Sequence, residues 1–430
     1  MSEAAEAAAA RPISGARAYW VLLALVAGLL LGALAQKMGD GLREPALKAA
    51  TIVGGLWLNA LKMTVIPLVV ALLVNGIARG AEAARAGRIA ARSVFWFVVI
   101  ISGSATFGAL LMPVLLRAMP LLPANAEALR AGLAAIDPGA ASGTVPAVAD
   151  FFATIVPANV IAAATNGDVL PLTVFAFLLG LALTRLPADR RRPVVAVFEG
   201  IADALLVIIG WVLWVAPLGV GALAFAVGSG AGAAAFAALA HYILLVSILG
   251  ALVMGAGYAV AVLAGRRGLG AFAKAMIAPQ AVAISTQSSL ASLPAMLGAS
   301  KLLGVKERVA DVTLPLAVAL FRATGPAMNL GVVFYIAHWL GTDISLPHAI
   351  AAVAVGSVVS YGAVSLPGQI SFFTSIAPIA MAAGVPVAPL ALLVAVEMLP
   401  DIFRTLGNVT MDVAVTTAVD RQVQARDSAA

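Results

Sequence analysis

Long apolar stretches dominate the pattern of hydrophobic and polar positions along this chain. No Asp, Glu, Lys or Arg occurs in the segments 18–35, 93–116, 204–265, 275–300 and 344–396. A helix needs roughly 20 apolar residues to cross the hydrocarbon core of a bilayer, so the two longest segments can each hold two crossings. The short alternating segments of a membrane β-barrel are not found. The pattern therefore predicts an all-α integral membrane protein with many spans.

Composition and the placement of basic residues support this interpretation. The chain is 62% hydrophobic and only 11% charged, whereas soluble domains carry about 25% charged residues. Basic residues cluster in short segments, and placing every cluster in the cytoplasm satisfies the positive-inside rule. This topology predicts a multi-pass protein of the cell inner (cytoplasmic) membrane with both termini in the cytoplasm. The sequence contains no basic patch interleaved with aromatic residues of the kind that binds nucleic acid. It contains no cysteine, so a disulfide or a thiolate metal site is excluded.

Two apolar segments interrupted by proline and polar residues are candidates for re-entrant hairpins. The segment 275–300 has basic clusters on both sides, so it would enter and leave the membrane from the same face. The second candidate lies within 348–386, and both contain a hydroxyl, an apolar residue and a proline in series, at 292–294 and 365–367. Paired segments of this kind point to the binding site of a secondary transporter at mid-membrane depth. Two ordinary kinked helices are the alternative.

Five polar side chains lie on one stripe of the last apolar span: Asp401, Arg404, Thr405, Asn408 and Asp412. Each charge at mid-bilayer costs about 2.5–3.5 kcal/mol on insertion scales, so these side chains face protein or water. Arg404 offers a planar fork for a carboxylate, and Asp401 can hold an ammonium group. Asn408 and Asp412 supply oxygens for a small cation, or a carboxylate that takes up a proton. The stripe suggests an acidic amino acid as ligand; the alternative is an Asp401–Arg404 salt bridge that only joins helices.

A further intramembrane charge is Arg322, within the apolar span 313–335. No other basic residue lies in that span, so Asp412 or Asp401 is its expected partner. The three histidines show no metal spacing, and no nucleophile elbow or phosphate-binding loop is found. We therefore predict no enzymatic activity, no cofactor and no metal site.

Several motifs resemble those of the glutamate transporter homologues, the dicarboxylate/amino acid:cation symporter family. The most specific is the last-span run 401–412, DIFRTLGNVTMD. The segments 61–68 (LKMTVIPL) and 166–171 (NGDVLP) and the serine-bearing first hairpin support it, in the family's order. The resemblance implies eight transmembrane helices plus two re-entrant hairpins, with inverted repeats, assembled as a homotrimer.

The resemblance also implies a scaffold and a moving transport domain. The scaffold comprises 18–92, with helices 1 and 2, and 117–238, with helices 4 and 5 and an external loop. The transport domain comprises 93–116, with helix 3, and 239–420, with helices 6 to 8 and both hairpins. Such a protein works as an elevator, in which the transport domain carries the site across the membrane as a rigid body.

Roles for the candidate residues follow from the resemblance. Arg404 would bind the side-chain carboxylate of the substrate and Asp401 its amino group, which favours aspartate or glutamate. The other implied contacts are Thr405 and Asn408 for the substrate backbone, Ser288 and Ser289 for the main-chain carboxylate, Gly325 in place of a threonine beside the distal carboxylate, and Asp412 for sodium.

The chain departs from the family pattern at the sodium sites. Residues 321–325 read FRATG where the family has Asn-Met-Asp-Gly-Thr, so a carboxylate is lost and the guanidinium of Arg322 is gained. Oxygen ligands of the third helix are replaced by the apolar side chains of Phe97, Ile100 and Ile101. We therefore expect Arg322 to stand in for a bound cation beside Asp412, and transport to be independent of sodium.

These features predict a secondary active transporter of aspartate, glutamate or related small dicarboxylates in the lipid bilayer, with H+ favoured over Na+ as the coupling ion. The alternatives are a sodium-coupled dicarboxylate/amino acid symporter, and an uncoupled exchanger or anion channel on the same fold. The missing sodium ligands keep the uncoupled alternative open. A binding or sensor protein that does not transport is a further class.

Overall fold

The computed structural model describes residues 15–35, 40–85, 87–122, 127, 156–166, 168–231, 234–362 and 368–427. Every regular element in these ranges is a helix, which confirms the all-α prediction there. The helices are α1 Gly15–Ala35, α2 Asp40–Arg85, α3 Arg88–Ala118, α4 Val160–Asn166, α5 Val169–Leu183, α6 Ala188–Trp214, α7 Ala216–Ala231, α8 Ala234–Leu263, α9 Leu269–Thr286, α10 Leu293–Leu302, α11 Glu307–Leu320, α12 Thr324–Leu340, α13 Leu346–Gly362, α14 Gly368–Ala382, α15 Leu390–Leu393 and α16 Met398–Asp427.

The long apolar runs form the membrane-spanning part of the molecule. Six helical stretches in the described ranges are long and apolar enough to cross a membrane: Leu42–Glu82, Arg88–Ala118, Ala188–Trp214, Ala235–Leu263, Leu269–Thr286 and Glu307–Leu340. Their alanine, leucine and valine content gives them the helix propensity and the apolar surface that such segments need. The chain is therefore a multi-pass membrane protein, while the total of eight spans stays a prediction.

The stretch Glu307–Leu340 is a broken helix. Its first half, α11, ends at Leu320, and its second half, α12, begins at Thr324 after a short extended piece at Phe321. The sequence pattern indicates one apolar span at 313–335, whereas the structure divides this segment after Leu320. Interrupted backbone at membrane depth is tolerated where protein or a water-lined cavity satisfies the freed polar groups. In transporters, half-helix ends of this kind surround substrate and ion sites.

The first predicted hairpin is formed by α9 and α10, which pack against each other and against α16. Its turn begins at Gln287, whose backbone has the left-handed conformation (φ 50°). The Gln287 side-chain amide donates to the carbonyl oxygen of Met398 over 3.2 Å, so the tip of the hairpin is fixed at the start of α16.

The second predicted hairpin corresponds to α13 and α14, which also pack together. The segment that joins them, 363–367, lies outside the described residues, as does most of the predicted external loop between 117 and 168. The re-entrant placement of both hairpins, the inverted repeats and the division into scaffold and transport domain stay predictions.

Helices α8 and α16 lie side by side, and glycines set their register. A side chain at Gly250 would meet Phe403, one at Gly257 would meet Thr410, and one at Gly265 would overlap Thr417. Residue numbers increase together along both helices at these contacts, so the helices run parallel at close distance. Because the pairing is parallel, the N-terminal part of α8 lies beside the residues that immediately precede α16.

Candidate functional site

The candidate site surrounds the guanidinium of Arg404 in the second turn of α16. Its Nη2 donates to Glu397 Oε1 over 2.6 Å, and its Nη1 donates to Asn329 Oδ1 over 2.7 Å. Its Nε lies 3.3 Å from Asp401 Oδ1. The side chain is only 12% exposed. Two carboxylates and one amide therefore hold the group that the sequence assigns to substrate binding, and the Asp401–Arg404 salt bridge considered as an alternative is present.

Glu397 is a functional candidate that sequence reasoning missed. Its side chain is 1% exposed, and its Oε2 accepts a hydrogen bond from the hydroxyl of Tyr242 over 3.2 Å. A signal existed, because Glu397 ends the uncharged run 344–396 and precedes Arg404 by seven residues, two helical turns. Asn329 and Tyr242 gave no comparable signal, since each is one polar residue in an apolar helix.

The broken helix is joined to α16 through Asn408. Asn408 Oδ1 accepts hydrogen bonds from the backbone N–H of Thr324 (2.9 Å) and from its hydroxyl (2.6 Å). That hydroxyl also lies 2.7 Å from the carbonyl oxygen of Arg404. The first turn of α12 thereby finds the partner that its own helix cannot supply. Gly325 follows directly, and among the described residues only Arg322 Cβ lies near the position of a side chain there, at 3.6 Å.

The remaining predicted substrate residues lie on α16 and in the α9–α10 turn. Thr405 is buried next to Arg404. Ser288 and Ser289 lie in the α9–α10 turn, where Ser288 Oγ accepts the backbone N–H of Ala291 over 3.2 Å. In the described part of the chain neither serine hydrogen bonds to Arg404, although Gln287 places their turn at the start of α16.

Asp412 and Arg322 form the second half of the site. Asp412 has no exposed surface, and among the described residues neither of its oxygens has a hydrogen-bond partner. Arg322 projects from the break between α11 and α12, is half-buried, and experiences the charges of Asp412 and Asp401. A buried ionised carboxylate without donors is costly, so a nearby cation or a proton must balance it. In the described ranges no group of three or more His, Cys, Asp or Glu side chains is arranged to hold a metal ion.

Comparisons with known proteins identify the family of this chain. The sequence profile described as the sodium:dicarboxylate symporter family matches residues 18–422. The chain is 28% identical over 402 residues to the proton/glutamate-aspartate symporter of Escherichia coli (strain K12), covering 91% of this chain and 89% of that protein. It is 29% identical over 416 residues to the C4-dicarboxylate transport protein of Anaeromyxobacter sp. (strain K), with coverages of 93% and 88%.

A third relative, the proton/sodium-glutamate symport protein of Bacillus subtilis (strain 168), is 27% identical over 386 residues, covering 89% of this chain and 88% of that protein. The matched family and these relatives are named as symporters or transport proteins, which confirms the prediction of a transporter rather than an enzyme. Because the profile spans nearly the whole sequence, the chain belongs to the sodium:dicarboxylate symporter family.

Proposed function

We propose that this protein carries aspartate, glutamate or a related C4 dicarboxylate across the cytoplasmic membrane together with protons, independently of sodium. Relatives named for glutamate, aspartate and C4 dicarboxylates support the substrate class. Arg404 supports it as well, because a guanidinium fork suits carboxylates. Asp401 favours an amino acid over a plain dicarboxylate, because it can hold an ammonium group.

The observation that carries sodium independence is the position of Arg322. Its guanidinium lies in the break of the α11–α12 helix, where the charges of Asp401 and Asp412 act on it. A fixed positive charge next to these acids does the electrostatic work that a bound sodium ion would otherwise do. Phe97, which replaces an expected oxygen ligand, stacks on Phe321 with ring centroids 4.5 Å apart, so this neighbouring region is apolar.

The elevator mechanism, the homotrimer, and cytoplasmic termini belong to the same proposal. They rest on the family membership and on the distribution of basic residues. Ser288, Ser289, Thr405 and Gly325 keep their proposed substrate contacts within it, because the α9–α10 turn and the α12 N-terminus both adjoin α16.

A sodium-coupled symporter is the second candidate, and Asp412 favours it. Two buried carboxylate oxygens without hydrogen-bond donors are suitable ligands for a small hard cation. The relative from Bacillus subtilis carries both proton and sodium in its name.

The test is uptake of radiolabelled L-aspartate, L-glutamate and succinate into proteoliposomes, with proton and sodium gradients imposed separately. We expect accumulation with an inward proton gradient in sodium-free buffer, its loss when an ionophore collapses that gradient, and no response to sodium at equal pH. Protein-free liposomes are the control. Uptake that requires sodium would establish the second candidate, and uptake of succinate alone would restrict the substrates to dicarboxylates.

A further inference from the structure

We infer that Glu397 carries the coupled proton, and that Tyr242 is the positioning residue that lets Glu397 hold and release it. This inference rests on the proposed function and specifies its chemistry. It starts from one fact of geometry: the guanidinium proposed to bind substrate is already occupied by an internal carboxylate, at 2.6 Å.

Glu397 and a substrate carboxylate compete for the same donors. Arg404 Nη2 is bound to Glu397, and the neighbouring Nε is bound to Asp401. A substrate carboxylate that binds the Nε–Nη2 edge of Arg404 therefore competes with Glu397 for Nη2. An ionised Glu397 that lost this partner would remain 1% exposed without its counter-charge, which is strongly unfavourable. Protonation removes the penalty, because a neutral carboxylic acid does not need the guanidinium.

Tyr242 is chemically suited to both states of Glu397. A phenolic hydroxyl can donate a hydrogen bond to a carboxylate and can accept one from a carboxylic acid. Tyr242 itself is fully buried, and its ring meets that of Tyr335 edge to face, with centroids 5.4 Å apart. This packing fixes the ring, so the hydroxyl stays beside Glu397 Oε2 whichever partner carries the proton.

The charge balance of the site calls for one proton. The three carboxylates Asp401, Asp412 and Glu397 face the two guanidinium groups of Arg322 and Arg404, which leaves one negative charge in excess. An anionic substrate would add to this excess. One proton taken up by Glu397 offsets the charge that the substrate brings, and it frees Arg404 at the same time.

Few ionisable groups pack around Glu397 in the described part of the chain. Its own segment contributes Asp401 and Arg404, α8 contributes Tyr242, and α12 contributes Tyr335 behind that tyrosine. His241, next to Tyr242 on α8, has its ring nitrogens against Tyr335 Oη (3.1 Å) and the carbonyl oxygen of Met119 (2.8 Å) and is not hydrogen bonded to Glu397. The helices α7 and α14, which pack on the neighbouring α15, contain no Asp, Glu, Lys, Arg or His.

The transport cycle then balances as follows. A proton from the outside binds the Glu397 carboxylate, the ion pair with Arg404 opens, and the substrate carboxylate binds Arg404. On the inside the substrate leaves, the proton passes from Glu397 to cytoplasmic water, and the ion pair forms again before the empty carrier returns. One proton moves with each substrate at this group.

The experiment measures the affinity of purified protein for L-aspartate against pH, and proton-driven uptake in proteoliposomes. For the unchanged protein we expect affinity to fall by about tenfold per pH unit once Glu397 is ionised, because one proton must bind first. In Glu397→Gln the amide imitates the protonated acid, so affinity becomes independent of pH and proton-driven accumulation is lost.

Tyr242→Phe is the second variant, and it keeps a conclusion available if Glu397→Gln fails to fold. Removing the hydroxyl costs the ionised carboxylate a charge-assisted hydrogen bond and the neutral acid only a weaker one. Glu397 then holds its proton more tightly, so the pH dependence of the affinity moves to higher pH by up to about one unit. Tyr258→Phe, on the same helix but hydrogen bonded to Gln280, is the matched control and leaves the profile in place.

Three results would overturn the inference: a pH-dependent affinity in Glu397→Gln, an unmoved profile in Tyr242→Phe, or loss of the pH dependence only in Asp412→Asn. If the unchanged protein exchanges aspartate but shows no proton-driven uptake, the proposed proton coupling itself fails. If it shows such uptake and Glu397→Gln shows it equally, only the assignment of the proton to Glu397 fails.

Discussion

Asp412 and Asp420 are two buried carboxylates on the same helix, α16, and neither has exposed surface. Asp420 accepts hydrogen bonds from Arg267 Nη2 (2.9 Å), the backbone N–H of Lys306 (3.1 Å) and Gln424 Nε2 (2.7 Å). Asp412, two turns earlier, accepts none from the described residues. The two acids share burial and helix but differ in every interaction of their oxygens.

The difference separates a structural acid from a functional one. Arg267 lies between α8 and α9, and Lys306 lies between α10 and α11, so Asp420 joins both connections to the end of α16. A fully satisfied buried acid of this kind fixes the architecture. An acid without donors stores unfavourable free energy that a cation, a proton or a moving guanidinium can relieve. Such an acid suits a group whose surroundings change during transport.

The largest expected effect comes from exchanging each acid for its amide. Asp420→Asn should lower the free energy of unfolding by about 3 kcal/mol, because Arg267 loses its counter-charge and the new amide N–H₂ faces other donors. Asp412→Asn should destabilise the protein much less, since Asp412 has no hydrogen-bond donor among the described residues and Asp401 still faces Arg322. Thermal unfolding in detergent compares the two variants directly. Equal losses of stability would mean that Asp412 is a structural acid as well.

The second effect concerns the cation beside Asp412. Arg322→Met should weaken L-aspartate binding about tenfold, the order expected when one unit charge is removed near a partly buried anionic site. Arg266→Met is the control, because it removes an exposed charge from the connection between α8 and α9 and should leave the affinity for L-aspartate unchanged. Isothermal titration at one pH measures both variants. Unchanged affinity in Arg322→Met would show that this arginine does not stand in for a bound cation.

Much of the fold was predictable because its signals are local. The uncharged runs predicted helices, and the run 275–300 contains the turn between α9 and α10, whose re-entrant placement stays a prediction. The polar stripe of the last span also needed only helical spacing, and the structure places Asp401 and Arg404 within 3.3 Å of each other. Each of these conclusions uses residues of one segment only.

The rest depends on contacts between distant segments. Tyr242 and Glu397 are 155 residues apart, and they meet because glycines such as Gly250 and Gly257 set the register of α8 against α16. The break after α11 is satisfied from two other helices: Asn408 accepts the backbone N–H of Thr324, and Ser104 donates to the carbonyl oxygen of Ala323. No periodicity within one segment carries that information.

The smallest expected effect tests how much the stability of the contacts around Asp420 depends on any single hydrogen-bond donor. Gln424→Ala removes one of three hydrogen bonds to Asp420 but leaves the Arg267 charge in place, so we expect a loss of only about 1 kcal/mol in the free energy of unfolding. Thr416→Val is the control near Asp412, because the Thr416 hydroxyl bonds only to the carbonyl oxygen of Asp412 within the same helix. It should change stability less than Gln424→Ala does. A loss in Gln424→Ala as large as that in Asp420→Asn would show that the amide, and not the charge pair with Arg267, holds the two connections to α16.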